Sequence, residues 1–322
     1  MSYATTPPFM KTAKPRCSAE WRQRFQHWQR PASDTEEQKI ESARGQIQKA
    51  LDKSSWLQAH PHRVIKQGSY ENNTNVRNET DVDLCVCTKH ALFFEAGTGE
   101  TLTREELGLS PLDFTFKDYK QHVVDVLAGH FGIFAVQAGN KAIQLHAHDE
   151  NKIDADVLPA FRFDLFEPRS RWPNGVPTLR AQGVGFYTEG GTFVFNFPEQ
   201  HIANGRSKNE RTSRRYKRAV RILKRLRTYM KDNAALFDEM PSFLIESLVY
   251  NCPDSDFGDA DLVEVIRRVL LSLKSGLADQ DQVCRCTEVN GIKLLFRTNQ
   301  GWTLDQARSF VNNAYDYVGF GG

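Results

Sequence analysis

The stretch Asp81-Val82-Asp83-Leu84-Cys85-Val86-Cys87 places two carboxylates at the start of an apolar run. Apolar residues alternate along it with a period of two, so we predict a β-strand from which Asp81 and Asp83 leave on one face. Cys85 and Cys87 continue that face toward the interior. Carboxylates so close to a core are costly unless a positive charge accompanies them. A divalent metal ion meets that need, since Mg²⁺ prefers oxygen ligands and keeps water and substrate phosphates in its other positions.

A third carboxylate ligand is expected from a neighbouring strand. Residues 143–145 and 153–158 have the pattern of two short strands around the turn-like segment 148–151. The second strand carries Asp154 and Asp156 on one face. We predict that Asp156 completes a metal site with Asp81 and Asp83.

Gly68 and Ser69 precede the carboxylate strand, between a short β-branched run and a polar loop. Backbone amides in such a turn can form a nest for a phosphate, and glycine allows the close approach that this requires. A Gly-Ser pair or an Asp-x-Asp motif alone is more commonly a solvated loop or strand edge. Their order along one chain is what favours a functional site.

Three segments together resemble a known superfamily: Gly68-Ser69-Tyr70, Thr80-Asp81-Val82-Asp83 and Asp156-Val157-Leu158-Pro159-Ala160-Phe161. They are similar to the polymerase-β-type nucleotidyltransferases of the oligoadenylate synthetase and cyclic GMP-AMP synthase superfamily. Pro241-Ser242-Phe243 resembles the Pro-Ser-Tyr segment of that superfamily's helical lobe. Chain length and the basic segment before Pro241 favour the bacterial branch, the cyclic-oligonucleotide synthases (CD-NTases) of CBASS anti-phage signalling systems. The resemblance covers roughly Ser33 to Phe310.

The resemblance implies an α+β fold with a polymerase-β-like nucleotidyltransferase sheet lobe, a C-terminal helical lobe and a cleft between them. We expect four parts along the chain. They are an N-terminal extension (1–32), a nucleotidyltransferase core with its spine helix (33–205), a helical lobe (206–316) and a flexible Gly-ended tail (317–322).

Local patterns predict several elements within these parts. Ser33-Asp34-Thr35-Glu36 is a capping box that opens a helix to about Ser54. Trp21, Phe25 and Trp28 lie at helical spacing and predict a short helix that packs on the body. We also predict a helix over residues 116–131 and a strand over residues 191–197, before Pro198.

The strongest charge feature is the basic segment 206–231, whose apolar residues fit one stripe of a helix. Lys217, Arg221 and Lys224 follow one another at helical spacing, in a row that is able to face a triphosphate. A solvated basic face, or one that binds nucleic acid nonspecifically, is the alternative. In the resembling enzymes the serine that corresponds to Ser242 helps to hold the donor triphosphate, so we predict nucleotide binding by Ser242 and by Lys217 or Arg221.

The resemblance also implies a metal-dependent reaction. Two Mg²⁺ ions, or Mn²⁺ in their place, would be held by Asp81, Asp83 and Asp156 around a donor ribonucleoside triphosphate. Gly68 and Ser69 would hold its phosphates, and Asp156 would orient the attacking ribose hydroxyl. Pyrophosphate leaves, and a second round closes a cyclic di- or trinucleotide, a second messenger to which a downstream effector responds.

Composition limits the other classes of function. The formal net charge of +2 over 322 residues is too small for a strongly basic nucleic-acid binder, so nucleic acid is not required and any positive field must be local. No apolar run approaches the ~20 residues that span a bilayer, and no secretory signal is evident, so we expect a cytoplasmic protein without a membrane partner. Six scattered cysteines indicate reduced structural thiols. His146 and His148 flank a turn and are not expected to bind zinc.

The last residues, Val318-Gly319-Phe320-Gly321-Gly322, resemble the tails of bacterial relatives that an accompanying E1/E2-like ligase joins to targets. An ordinary frayed terminus is the alternative.

Other functions stay open on the sequence alone. A nucleotidyltransferase that modifies an RNA or a protein, including one paired with an antitoxin, would carry the same carboxylates. A synthase of linear oligoadenylate is a further alternative. A binding module with structural carboxylates is disfavoured by the complete three-carboxylate pattern.

Overall fold

The computed structural model of the chain describes residues 18–31, 34–76, 82–97, 99–146, 154–236, 239–298 and 300–321. It has the expected α+β fold, with a mixed sheet and a C-terminal helical domain. The chain divides into two compact units. The sheet unit comprises residues 31–206 and 290–292, and the helical unit comprises the preceding N-terminal helix with residues 207–289 and 293–322.

Within the described residues, seven strands form a single sheet. They are β1 (His62–Lys66), β2 (Val82–Ala96), β3 (Val136–Ala138), β4 (Ile143–Leu145), β5 (Ala155–Phe166), β6 (Leu179–Tyr187) and β7 (Phe193–Asn196).

The long strand β5 lies at the centre of this sheet. It pairs in parallel with β2, and antiparallel with β4 through its first residues and with β6 through its last residues. Strand β1 pairs antiparallel with β2, while β3 extends the sheet from β4 and β7 extends it from β6. The pairing register of β2 shifts between Thr88 and Leu92, so residues 89–91 form a bulge.

The α-helices of the described chain alternate with these strands at first and then follow them. They are α1 (Ser18–Trp28), α2 (Asp34–Asp52), α3 (Ser55–Ala59), α4 (Gly68–Glu71), α5 (Phe116–Phe131), α6 (Pro198–Arg211), α7 (Arg215–Asp232), α8 (Ser242–Tyr250), α9 (Leu262–Ala278), α10 (Gln280–Arg285) and α11 (Leu304–Val318).

Helix α5 covers one face of the sheet, as the sequence predicted for residues 116–131. It begins at a capping box in which the Asp118 amide donates to Thr115 Oγ1 over 3.2 Å and the Thr115 amide donates to the Asp118 carboxylate over 2.8 Å. Val123 and Leu127 are fully buried against the apolar face of β2 and β5. Each such burial contributes about 2 kcal/mol.

The helix that contains Trp21 and Phe25 is confirmed, and both side chains are buried in the helical unit. The helix predicted from residue 33 begins at Asp34, but Ser33 lies outside the described residues, so its capping box stays a prediction. The strand predicted before Pro198 ends at Asn196, because that proline opens α6.

The basic segment 206–231 divides between two helices, and the apolar residues that were predicted to form one helical stripe lie on the second helix, α7. Ser213 and Arg214 have positive φ angles of 51° and 63°, which separate α6 from α7. Thr212 causes the break locally. Its hydroxyl donates to the Lys208 carbonyl over 2.8 Å, and its oxygen accepts from the Tyr216 amide over 3.2 Å, which caps the new helix.

The helical unit packs α1, α7, α8, α9 and α11 around one apolar core. Helix α11 continues to Val318, so the first two residues of the predicted tail are helical, and Gly319 then adopts a left-handed φ of 88°. Gly322 lies outside the described residues, and its conjugation stays a prediction. Among the helices described, none combines the length and the apolar character needed to cross a membrane.

Candidate metal-dependent active site

Two of the predicted carboxylates lie opposite each other at the centre of the sheet. The parallel register of β2 and β5 pairs Asp83 with Asp156. Residues paired in this way leave the sheet on the same face, and both side chains are half-buried. The structure therefore brings Asp83 and Asp156 together. Asp81 lies outside the described residues, and its role as a ligand stays a prediction.

The same face continues inward as an apolar cluster that contains Cys85, Cys87 and Ala160. Both thiols are free, and burial raises the pKa of Cys87 to about 11 and that of Cys85 well above its usual value. Protonated thiols are poor metal ligands. The carboxylates are therefore the candidate metal ligands on this face.

Gly68 lies directly against Asp83. It has a left-handed φ of 70°, and a Cβ atom added to it would overlap the Asp83 carboxylate. The preceding amide of Gln67 donates to the Asp83 carbonyl over 2.9 Å, which ties the two segments together. Glycine is needed here so that the chain can pass the carboxylate. This requirement is separate from the phosphate contact that we predicted for Gly68.

Buried polar residues hold the turn that carries Ser69. The Ser69 carbonyl accepts from the amides of Thr74 and Asn75 over 2.9 and 3.1 Å, and Asn72 Nδ2 donates to the Gly68 carbonyl over 2.9 Å. Asn72, Thr74 and Asn75 are at most 5% exposed. Their burial was not predicted from the sequence, because a run of Asn and Thr has the composition of a solvated loop.

A cavity of 510 Å³ lies in the sheet unit between α2 and the segment of α4. Tyr70, Asn73 and Lys66 contribute to its lining, and Lys66 Nζ lies 3.4 Å from carboxylate oxygens of both Glu41 and Glu71. Its volume falls in the range of small-ligand sites, and its lining is polar. Three glutamates and one lysine contribute to this lining, so the charge of the cavity does not suit the phosphates of a nucleotide.

The basic row on α7 differs in part from the prediction. Lys224 is 1% exposed and its Nζ lies 3.8 Å from the buried Glu246 carboxylate, so it does not face a ligand. Arg221 is also buried, and its Nε donates to the Gln29 carbonyl after α1 over 2.6 Å. Burial lowers the Arg221 pKa to about 10. These contacts favour a structural role for Arg221, and its nucleotide contact stays a prediction.

Lys217 lies in the first turn of α7 and is half-buried. Its backbone amide donates to Asn209 Oδ1 over 3.1 Å. This backbone contact fixes the start of the helix. The nucleotide contact of the Lys217 side chain stays a prediction.

Ser242 opens helix α8 and meets an arginine that the sequence analysis did not single out. Arg227 Nη1 donates to Ser242 Oγ over 3.0 Å and to the Met240 carbonyl over 2.8 Å. Arg227 belongs to the same basic segment as Lys217, but it lies outside the row that we considered. The structure thus pairs Ser242 with a cation, and the nucleotide contact of Ser242 stays a prediction.

Comparison with known proteins identifies the family. Residues 203–319 match the cGAS/DncV-like nucleotidyltransferase C-terminal helical domain. The cyclic dipyrimidine nucleotide synthase CdnE of Legionella pneumophila is 33% identical over 94% of this chain and 99% of that protein. This chain belongs to the CD-NTase family of bacterial cyclic-oligonucleotide synthases.

Solved CD-NTase structures share the whole fold. The Rhodothermus marinus CdnE c-UMP-AMP synthase with Apcpp and Upnpp has a TM-score of 0.78 and 28% identity, over 94% of this chain and 97% of that one. The Elizabethkingia meningoseptica CdnE cyclic dinucleotide synthase with GTP and Apcpp has a TM-score of 0.74 and 31% identity, over 92% and 98%. As a CD-NTase, the chain is a nucleotidyltransferase, which confirms the resemblance found in the sequence.

Proposed function

We propose that this CD-NTase joins two ribonucleoside triphosphates into a cyclic dinucleotide and releases pyrophosphate at each step. The observation that carries the proposal is the in-register pair Asp83 and Asp156 on the parallel strands β2 and β5. This register puts both side chains on the same face of neighbouring strands, as a shared metal site requires. Gly68 also brings a second segment of the chain against the Asp83 carboxylate.

The residues fit Mg²⁺, with Mn²⁺ as a substitute. Asp83 and Asp156 supply oxygen donors on one half-buried face, and Asp81 is the proposed third ligand. When bound, two such ions lower the pKa of an attacking hydroxyl and stabilise the charge of the departing pyrophosphate.

The protein's own groups would orient the reactants around this pair. Asp156 accepts a hydrogen bond from the acceptor ribose hydroxyl and so directs it toward the α-phosphate. Ser69, on a turn fixed by buried asparagines, and Ser242, beside Arg227, hold phosphate oxygens of the donor. Lys217 contributes positive charge. The linear intermediate then reverses its position, and the same carboxylates support the second bond that closes the ring.

The relatives favour a dinucleotide product. One is called a cyclic dipyrimidine nucleotide synthase, another a c-UMP-AMP synthase, and a third was solved with GTP and Apcpp. Their identities to this chain differ by only a few per cent while their bases differ, so overall similarity does not set the bases. We place the product as a second messenger in anti-phage defence, read by a downstream effector, in line with the resemblance noted in the sequence.

The test is synthesis from nucleotides alone. Purified protein is incubated with all four ribonucleoside triphosphates and Mg²⁺ or Mn²⁺, treated with phosphatase and analysed by mass spectrometry. We expect a phosphatase-resistant cyclic dinucleotide from the intact protein, and a loss of about 1000-fold in Asp83→Asn and Asp156→Asn, because metal stabilisation is worth several kcal/mol. Asp125→Asn, an exposed carboxylate on α5, is the matched control and should retain full activity.

The alternatives give different results in the same assay. A linear oligoadenylate synthase would yield a product that loses its terminal phosphates to the phosphatase, so its dimer would carry one phosphate group where the ring carries two. A transferase that modifies RNA or protein would be silent with nucleotides alone and would label an added macromolecular acceptor. Equal activity of Asp83→Asn and the intact protein would contradict the proposed site.

A further inference from the structure

Three side chains outside the nucleotidyltransferase site converge in the sheet unit. The potential ligand atoms of His60, His90 and Asp113 all lie within 4.8 Å of one another. They come from three parts of the chain: the end of α3, the bulge of β2, and the segment before α5. In the antiparallel register of β1 and β2, His62 pairs with Thr88. Two residues beyond this pair, before His62 and after Thr88, His60 lies beside His90.

The ring of His60 is held in one orientation. Its Nδ1 lies 2.7 Å from the Trp56 carbonyl, and because a carbonyl only accepts, Nδ1 is the donor. In the neutral ring, Nε2 then carries the lone pair. The imidazole also stacks on the Trp56 indole, with ring centroids 4.0 Å apart. Metal-bound histidines are commonly oriented by such a hydrogen bond from the second ring nitrogen.

His90 and Asp113 provide the open side of the cluster. Both residues are exposed, so a metal ion has an entry path. Among the described residues, neither the His90 ring nitrogens nor the Asp113 carboxylate has a hydrogen bond or an ion pair. The His90 ring is nevertheless placed, because it meets the His60 ring edge-on at a centroid distance of 5.1 Å. Three donor atoms thus face one small volume.

We propose that His60, His90 and Asp113 form a zinc site. Two imidazole nitrogens, one carboxylate oxygen and one water make a tetrahedral set, and nitrogen donors favour zinc over Mg²⁺. Ligand atoms around zinc lie about 3.4 Å apart, so the two exposed side chains would close by at most about 1.4 Å. The bound ion ties the end of α3, the β2 bulge and the approach to α5, and so stabilises the sheet unit.

The test measures zinc affinity, not catalysis. Chelator-treated full-length protein is titrated with Zn²⁺ against a chromophoric competitor, with excess Mg²⁺ present to fill the Asp83 and Asp156 site. Co²⁺ absorption reports the geometry, and thermal melts report stabilisation. The variants are His90→Ala and Asp113→Asn, both exposed. His122→Ala is the matched control, because the His122 ring also stacks on the Trp56 indole, with ring centroids 4.1 Å apart, but His122 is not a member of the cluster.

We expect one Zn²⁺ per chain, a tetrahedral Co²⁺ spectrum and a zinc-dependent rise in melting temperature. Each ligand variant should bind about 100-fold more weakly, while His122→Ala binds as the intact protein does. Circular dichroism of the metal-free variants confirms that they fold. Equal zinc affinity in the intact protein and both ligand variants, or an equal loss in His122→Ala, would overturn the proposal.

Discussion

Gly68 acts at the scale of a single residue by leaving room for a carboxylate. Its left-handed φ and its position against Asp83 both exclude a side chain. The neighbouring amide of Gln67 binds the Asp83 backbone, so Asp83 cannot easily move away. The geometry of the proposed metal-binding pair therefore depends on the absence of a side chain at Gly68.

Gly68→Ala should lower the rate of product formation by about 100-fold or more, since even small displacements of a catalytic group are costly. The left-handed conformation adds a stability cost of about 1–2 kcal/mol. Gly129→Ala in α5 is the control, because nothing lies within 4 Å of its added Cβ. That change should stabilise the protein by about 0.5–1 kcal/mol and leave activity unchanged. Similar activities of the two variants would contradict the proposed contact.

Helix α7 acts at the scale of an element by carrying a charge into the core of the helical unit. Lys224 and Glu246 are 1% and 3% exposed, and their ion pair joins α7 to α8. Removing one member leaves the other charge buried without this partner, which is more costly than removing both.

Lys224→Met should therefore lower the free energy of unfolding by about 3 kcal/mol, measured by denaturant titration. Adding Glu246→Gln should restore most of that loss. Lys231 lies on the same helix as Lys224 and forms an exposed ion pair with Glu239. Lys231→Met removes that pair and should lower the free energy of unfolding by less than about 1 kcal/mol. If Lys224→Met and Lys231→Met behave alike, the pair between α7 and α8 is not the stabilising contact.

Helix α9 supplies a pH-dependent contact. Hydrogen bonds from Arg267 and then Arg268 lower the pKa of Glu264 from 4.5 to about 2. A lowered folded-state pKa contributes stability above 4.5 that disappears as the pH falls through about 2. Glu264→Gln should thus be less stable than the intact protein at neutral pH, and the two should converge in acid. A stability difference that does not change with pH would show that the charge is not responsible.

At the scale of the whole molecule, the N-terminal helix α1 belongs to the helical unit, although the rest of that unit begins only at residue 207. Trp21 is 1% exposed and meets the rings of Tyr229 and Tyr317 edge-on, at centroid distances of 6.4 and 6.0 Å. Arg221 binds the backbone just after this helix. The helical unit is therefore completed by the start of the chain.

Trp21→Ala should destabilise the protein by about 4 kcal/mol, because it opens a large cavity in that core. Gln23→Ala, on the exposed side of the same helix, should change stability by less than about 0.5 kcal/mol. Urea denaturation followed by circular dichroism measures both. Equal stabilities would mean that α1 does not contribute to the core.

The sequence predicted the features that follow from local periodicity. Alternation along 82–87 and 155–158 was sufficient to place Asp83 and Asp156 on strands, and helical spacing was sufficient for α5. Helical spacing did not show that Lys224 points into a core, since a row of cations can face either way. The break at Ser213 and the meeting of His60 with His90 depend on a side-chain hydrogen bond and on strand register, which residue types alone do not specify.

The most direct test of the metal-dependent site is anomalous diffraction from crystals grown with Mn²⁺ and a non-hydrolysable ribonucleoside triphosphate. We predict two manganese peaks about 4 Å apart, both liganded by carboxylates of the Asp83 and Asp156 pair and by the triphosphate. Manganese bound only elsewhere, or a triphosphate held without contact to either aspartate, would contradict the proposed mechanism.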